Sequence, residues 1–155
     1  MLPRRLLILL GLVTVVAVAA PLPYNESADA KADVQQALAA AKADQRRVLL
    51  VFGANWCEDC RALDQALKSG RNAELVAHEF RVVKVDVGRF NRNLDLDQAY
   101  GDPIKKGIPA AVVLSADNRV LYATRAGELA DARRMSDTGI YDFFDGVVRK
   151  SLDRP

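Results

Sequence analysis

The stretch Val48-Leu49-Leu50-Val51-Phe52-Gly53-Ala54-Asn55-Trp56-Cys57-Glu58-Asp59-Cys60-Arg61 holds the only two cysteines of the 155-residue chain. Val48 to Phe52 is a short apolar run rich in β-formers and reads as a buried strand. Beyond it, Leu63 and Leu67 recur at helical spacing among Arg61, Asp64, Gln65 and Lys68, which predicts a helix from about Cys57 to Lys68. The cysteines therefore stand where a strand runs into a helix. Free backbone N–H groups and the helix dipole at such a point favour an anion, so a thiolate on Cys57 is stabilised. Helix positions i and i+3 lie about 5 to 6 Å apart at Cβ, a small adjustment from disulfide geometry. Cys60, one turn in, is expected to be more buried and less helped by the dipole. That asymmetry assigns Cys57 as nucleophile toward a substrate disulfide and Cys60 as the resolving thiol. Run backwards, the same pair oxidises.

Working outward, the N-terminus reads as a targeting segment. Arg4-Arg5 precede Leu6 to Ala20, which carry no charge, and Val18-Ala19-Ala20 or Ala17-Val18-Ala19 offers small residues for a signal peptidase. The alternative is an uncleaved membrane anchor, but the apolar run stops at Pro21, short of the roughly 18 to 20 residues that spanning requires. Residues 1–20 are thus expected to be a signal peptide, 21–28 a lead-in and 29–155 the folded domain. The chain has 22 Lys and Arg against 20 Asp and Glu; two of the basic residues are Arg4 and Arg5, so the remainder is formally neutral. No basic stripe with interleaved aromatics is present, which argues against nucleic-acid binding. The membrane is expected as a partner only through residues 1–20. Two cysteines in an exported chain sit in a disulfide-permissive compartment, here a bacterial periplasm. A bridge between positions 57 and 60 closes almost no loop, so it is poorly placed to stabilise a scaffold and well placed for redox chemistry.

The pattern elsewhere predicts the remaining elements. Asp29 to Lys42 reads as an Ala-rich helix with Val34, Leu38 and Ala41 on one face and Ser27 or Asp29 as cap. Ser69-Gly70 ends the cysteine helix, and Asn72 caps a short helix through Glu79. Arg81 to Val87 is a β-branched central strand, Leu94 to Tyr100 a helical turn, and Ala110 to Leu114 and Val120 to Thr124 form a hairpin across Ser115 to Arg119. Asp137 to Leu152 is an amphipathic helix carrying Ile140, Phe143, Phe144, Val147 and Val148, while Glu128 to Met135 stays open between loop and helix. This order predicts helices on both sides of a mixed sheet, a βαβ unit followed by a hairpin. Gly107-Ile108-Pro109-Ala110 lies just before a strand. Pro109 there either starts an edge strand or forms a cis bond beside the cysteines, presenting the Ile108 backbone to an extended substrate.

Taken together, Trp56-Cys57-Glu58-Asp59-Cys60, Val83-Lys84-Val85-Asp86 and Gly107-Ile108-Pro109-Ala110 resemble the Trp-Cys-x-x-Cys motif, central strand and cis-proline loop of the thioredoxin family, over about Lys31 to Leu152. The resemblance implies an α/β thioredoxin-like three-layer sandwich, a central mixed β-sheet flanked by helices. It implies further that Cys57 and Cys60 are the redox pair and that the Ile108–Pro109 bond is cis. Trp56, Ile108 and Pro109 then become the substrate-binding residues. The chain also departs from thioredoxins proper. Glu58-Asp59 replace Gly-Pro between the cysteines, Val51 stands where a buried proton-transfer Asp is expected, and Phe90 to Lys106 is long enough for an inserted helix. The resemblance is therefore to the exported thioredoxin-like proteins.

Glu58 and Asp59 suit a helix's first turn, but they also repel a neighbouring thiolate, so they are expected to tune the potential toward a reductant. The functional expectation is an exported thiol–disulfide oxidoreductase on protein disulfides or dithiols, a reductant or isomerase rather than an oxidant, recycled by an unidentified redox partner. The rival is a non-catalytic binding or assembly module with a persistent Cys57–Cys60 disulfide. No cofactor beyond the pair is expected. A structural zinc site takes four N or S ligands and the chain offers only Cys57, Cys60 and His78, the last read as a surface residue. Arg61 after Cys60 excludes a haem-attachment Cys-x-x-Cys-His. Arg133-Arg134 and Lys105-Lys106 read as solvated faces, and Asp95 and Asp97 as helix-start residues.

Overall fold

The computed structural model describes residues 21–152, so the expected signal segment 1–20 lies outside the described residues. The Asp29 carboxylate accepts a hydrogen bond from the Ala32 N–H at 3.0 Å and starts α1 (Ala30–Asp44), whose Ala30, Val34, Leu38 and Ala41 form one buried stripe. Strand β1 (Arg47–Gly53) is buried in six of its seven residues, because the sheet is covered on both faces. Helices α2 (Glu58–Leu67) and α3 (Gly70–Glu79) then cross to β2 (Phe80–Asp86), which pairs parallel with β1 with Leu50 opposite Val83. A parallel pair needs a crossover of this kind, whereas β3 (Ala110–Leu114) pairs antiparallel with β1, Leu50 opposite Val112. Strand β4 (Val120–Ala123) closes the hairpin with β3, irregular at Val113 and Leu114, and the sheet order is β2-β1-β3-β4.

Alternation along the strands sorts the core into two clusters. Val48, Leu50 and Phe52 pack with Val83, Val85, Val112 and Leu114 under α1 and the insertion; Leu49 and Val51 pack with Leu63, Leu67, Ile140 and Phe144 on the other side. The insertion is α4 (Leu94–Ala99) and a 3₁₀ turn (Pro103–Lys106), and Asp95 and Asp97 do stand in the first turn of α4. The last helix, α5 (Asp137–Leu152), lies over the second cluster. The three-layer α/β sandwich and mixed sheet expected from the sequence are thus present. None of the described helices is long and apolar enough to cross a membrane.

Two local expectations change, and one open segment is resolved. Asn72 does not cap α3: it is buried inside that helix, and its Nδ2 donates to the Asp137 carbonyl at 3.1 Å, tying α3 to the start of α5. Ser69 takes the cap position, and Gly70, expected to end α2, opens α3 instead. Residues 128–135 are mostly turn with a 3₁₀ segment at Ala132–Arg134.

Candidate active site

The site begins where β1 runs out. The Cys57 N–H donates to the Ala54 carbonyl at 3.2 Å, closing a turn, and Cys57 leaves extended backbone as the N-cap of α2. Its sulfur accepts the Cys60 N–H at 3.1 Å, one of the donors left free at a helix start. The two cysteines are joined by a disulfide with their Cα atoms 5.2 Å apart, and Cys57 is 6% exposed against 0% for Cys60. Only Cys57 reaches the surface, which matches the asymmetry expected of a helix N-terminus.

The Ile108–Pro109 bond is cis, and both residues are buried. The Ile108 carbonyl oxygen lies 3.7 Å from Cys57 Sγ, where it would accept a hydrogen bond from a protonated Cys57. Trp56, by contrast, is 45% exposed. Its Nε1 donates to the Gly88 carbonyl at 2.8 Å, its ring meets Phe90 edge-on at 6.2 Å between centroids, and the Arg89 guanidinium lies 5.5 Å from it. Phe90 is itself exposed. Trp56 and Phe90 form an aromatic shelf on one flank of the disulfide.

Glu58 and Asp59 do not face solvent alone. Arg133, expected on a solvated face, reaches across from the 3₁₀ segment: its guanidinium pairs with Glu58 and lies 3.7 Å from Asp59, and its N–H donates to Asp59 Oδ1 at 3.0 Å. The single guanidinium offsets half the charge of the two carboxylates, which lessens the repulsion of a Cys57 thiolate expected from sequence. His78 is exposed, as read, beside Glu79 at 2.9 Å.

Sequence reasoning missed the inner flank. Asp64, one helical turn past Cys60, is buried and bridges Lys84 Nζ at 2.9 Å and Lys68 Nζ at 2.7 Å. Burial pushes its carboxyl up, but hydrogen bonds and charge from the two lysines outweigh that and hold it below the usual carboxylate range. Burial holds Lys84 below the usual lysine range, partly offset by Asp64. Lys84 therefore does have an acid partner, supplied by α2 rather than by position 51, where Val51 packs in the opposite cluster. The i, i+4 spacing of Cys60 and Asp64 was the available signal. Tyr24 had none, yet it packs in the same cluster as both cysteines.

Among the described residues no three His, Cys, Asp or Glu side chains are grouped to hold a metal ion. A family profile described as thioredoxin-like matches residues 29–116. A disulphide isomerase from Xylella fastidiosa Temecula1 is similar in structure, at 59% identity and TM-score 0.82, over 84% of this chain and 99% of that one. A thioredoxin from Thermus thermophilus (19%, TM-score 0.53, 74% and 81% covered) shares the fold. So does the oxidised C-terminal domain of DsbD from Neisseria meningitidis (21%, TM-score 0.50, 76% and 96% covered). Among curated proteins, none matches the chain.

Proposed function

The chain belongs to the thioredoxin-like family, and from that premise we propose that it is an exported thiol–disulfide oxidoreductase acting on protein disulfides as an isomerase or reductant. The observation that carries this reading is a Cys57–Cys60 disulfide at the N-terminus of α2, beside a cis Ile108–Pro109 bond. The Xylella fastidiosa disulphide isomerase, at 59% identity over nearly its whole length, supports the isomerase side. Arg4-Arg5 and the uncharged Leu6 to Ala20 support export.

In the reducing direction the Cys57 thiolate attacks one sulfur of a client disulfide, forming a mixed disulfide and expelling the client's other thiolate. Cys60 then loses its proton and attacks Cys57 Sγ; the Cys57–client bond breaks, and its electron pair leaves with the client sulfur, which takes up a proton. The client gains two electrons, the pair returns to the disulfide, and a second thiol partner must reduce it again. In isomerisation the expelled client thiolate attacks another disulfide of the client, and the thiolate released there attacks the client sulfur bound to Cys57, which closes a new client disulfide and frees the Cys57 thiolate, so no net electrons move. Trp56 and Phe90 offer apolar area to a client on the exposed flank, and the residues around Pro109 border Cys57 on the other.

Replacing Cys60 by Ser should trap mixed disulfides through Cys57 when the mature protein is expressed in its own compartment. A trap that stays empty, together with a wild-type pair unable to reduce or rearrange a scrambled disulfide protein, would leave the non-catalytic module as the correct reading.

A further inference from the structure

Tyr24 belongs to the lead-in 21–28, yet it is 3% exposed. Its backbone is fastened by one side chain: Asn55 Oδ1 accepts the Tyr24 N–H at 3.0 Å, and Asn55 Nδ2 donates to the Tyr24 carbonyl at 2.8 Å. Asn55 stands two residues before Cys57, so the lead-in and the cysteine turn are held together. The ring runs under the end of β1, where Gly53 leaves room. The point a Cβ on Gly53 would occupy is 2.2 Å from the Tyr24 hydroxyl and 2.8 Å from Cys60 Sγ. The hydroxyl and the resolving sulfur are therefore within about 5 Å of each other across that space.

The Tyr24 hydroxyl is buried and has no hydrogen-bond partner among the described residues. A buried donor without an acceptor is costly, and the cost is recovered in any state that supplies one. In the oxidised protein both sulfurs are spent in the disulfide, where sulfur is a weak acceptor. Once the Cys57–Cys60 bond opens, Cys60 becomes a thiol that must ionise in a site with no exposure. We propose that the Tyr24 hydroxyl donates a hydrogen bond to the Cys60 thiolate in the mixed-disulfide and reduced states, and so takes part in the resolving step.

This rests on the thiol–disulfide reading above and adds a residue to it. The charged neighbours fit a donor. Burial first, then the carboxylates of Asp64 and Asp86, push the Tyr24 phenol far up, so it stays protonated. Lys84 of β2 lies 5.7 Å from the Tyr24 ring centroid and is held by Asp64, which Lys68 also pairs. The Lys84 ammonium is drawn to the Asp64 carboxylate at 2.9 Å, and the hydroxyl is the buried donor that the Gly53 gap sets beside Cys60. In the step itself Cys60 gives up a proton, its sulfur bonds to Cys57 Sγ, and the client sulfur departs with the electron pair and takes a proton. Tyr24 keeps its own proton throughout and loses its acceptor again when the disulfide closes.

Tyr24→Phe removes one oxygen and keeps the ring in the core. In a Cys57→Ser background, where Cys60 is the sole thiol, the midpoint of thiolate ultraviolet absorbance against pH should rise by about one unit in Tyr24→Phe, tenfold in acidity. In the full pair, the mixed disulfide of Cys57 with glutathione should persist about threefold longer, the lower thiolate fraction being partly offset by greater nucleophilicity. The oxidised Tyr24→Phe protein should unfold at no lower denaturant concentration than wild type, which a merely structural role would not give. An unmoved midpoint with wild-type resolution, in a protein whose wild type does exchange with glutathione, overturns the role of Tyr24 alone. A wild type that forms no mixed disulfide at all overturns the oxidoreductase reading and this inference with it.

Discussion

Glu58 and Asp59 on one hand, and Asp64 on the other, are carboxylates of the same short helix within two turns of the disulfide, yet they meet opposite surroundings. The outer pair sits at the helix start with Arg133 across it, and the Glu58 and Arg133 side chains are 63% and 49% exposed. Asp64 is 5% exposed and locked between Lys84 and Lys68. Water and salt screen the Glu58–Arg133 contact of the first arrangement, so its energetic weight is small, and Asp59, 17% exposed, meets the guanidinium only at 3.7 Å. The second lies where screening is weak, and removing one partner leaves an uncompensated buried charge. Closeness to a cysteine in sequence is therefore a poor guide to which charges govern it. Burial and pairing decide.

The comparison is broken most directly at Asp64. Asp64→Asn leaves Lys84 buried without its carboxylate and should destabilise the oxidised protein by about 3 kcal/mol, read as the urea midpoint at neutral pH. The sign with pH follows from the depressed carboxyl. Its stabilisation is complete above the unfolded-state value of about 4 and is lost as pH falls through the lower folded-state value. The gap between wild type and Asp64→Asn should stay constant down to about pH 5 and close below about pH 4. A gap that is absent at pH 7, or that never closes, would show that the inner pair carries no such weight.

Gly53→Ala tests the inner flank by crowding. The new Cβ would fall 2.2 Å from the Tyr24 hydroxyl and 2.8 Å from Cys60 Sγ, so the ring must shift. A loss of about 2 kcal/mol in unfolding free energy is expected, as for other overpacked cores. On the outer flank, Arg133→Ala should change stability by less than about 1 kcal/mol. Leaving Glu58 and Asp59 unneutralised, it should shift the equilibrium with glutathione about threefold toward the disulfide, an effect that added salt shrinks. A shift that salt does not touch would mean the outer pair is less screened than its exposure implies. Trp56→Ala should leave unfolding almost unmoved while slowing reduction of a protein disulfide several-fold and sparing glutathione disulfide, because only a large client uses the aromatic shelf.

What could be read from the sequence was local or periodic. The run Val48 to Phe52, the β-branched stretch of β2 and the apolar spacing of α5 each specify one element, and a strand meeting a helix at Cys57 needs no distant information. The bounds of β3 and α5 were legible because both end at turn or charge signals. The failures share a cause, which is that the partner sits far along the chain. Arg133 is drawn to Asp59 across 74 positions, and Asn72 to Asp137 across 65. Tyr24 had no periodic neighbours to mark it as core, since it precedes every regular element among the described residues. Asp64 was half legible: its spacing from Cys60 and Lys68 put it on a known helix face, but its link to Lys84 depends on the parallel register of β1 and β2.

Asn55 turns the segment ahead of α1 into a measured length of chain. Cleavage after Ala19 or Ala20 would leave Tyr24 fourth or fifth from the mature N-terminus, long enough to reach its slot with little to spare. A cut only a few residues further in would empty a core position, strip from Asn55 its two hydrogen bonds to Tyr24 and open the underside of Cys60 to water. Any loss of chain from the N-terminal side is in this sense limited by the active-site geometry, because Tyr24 must remain.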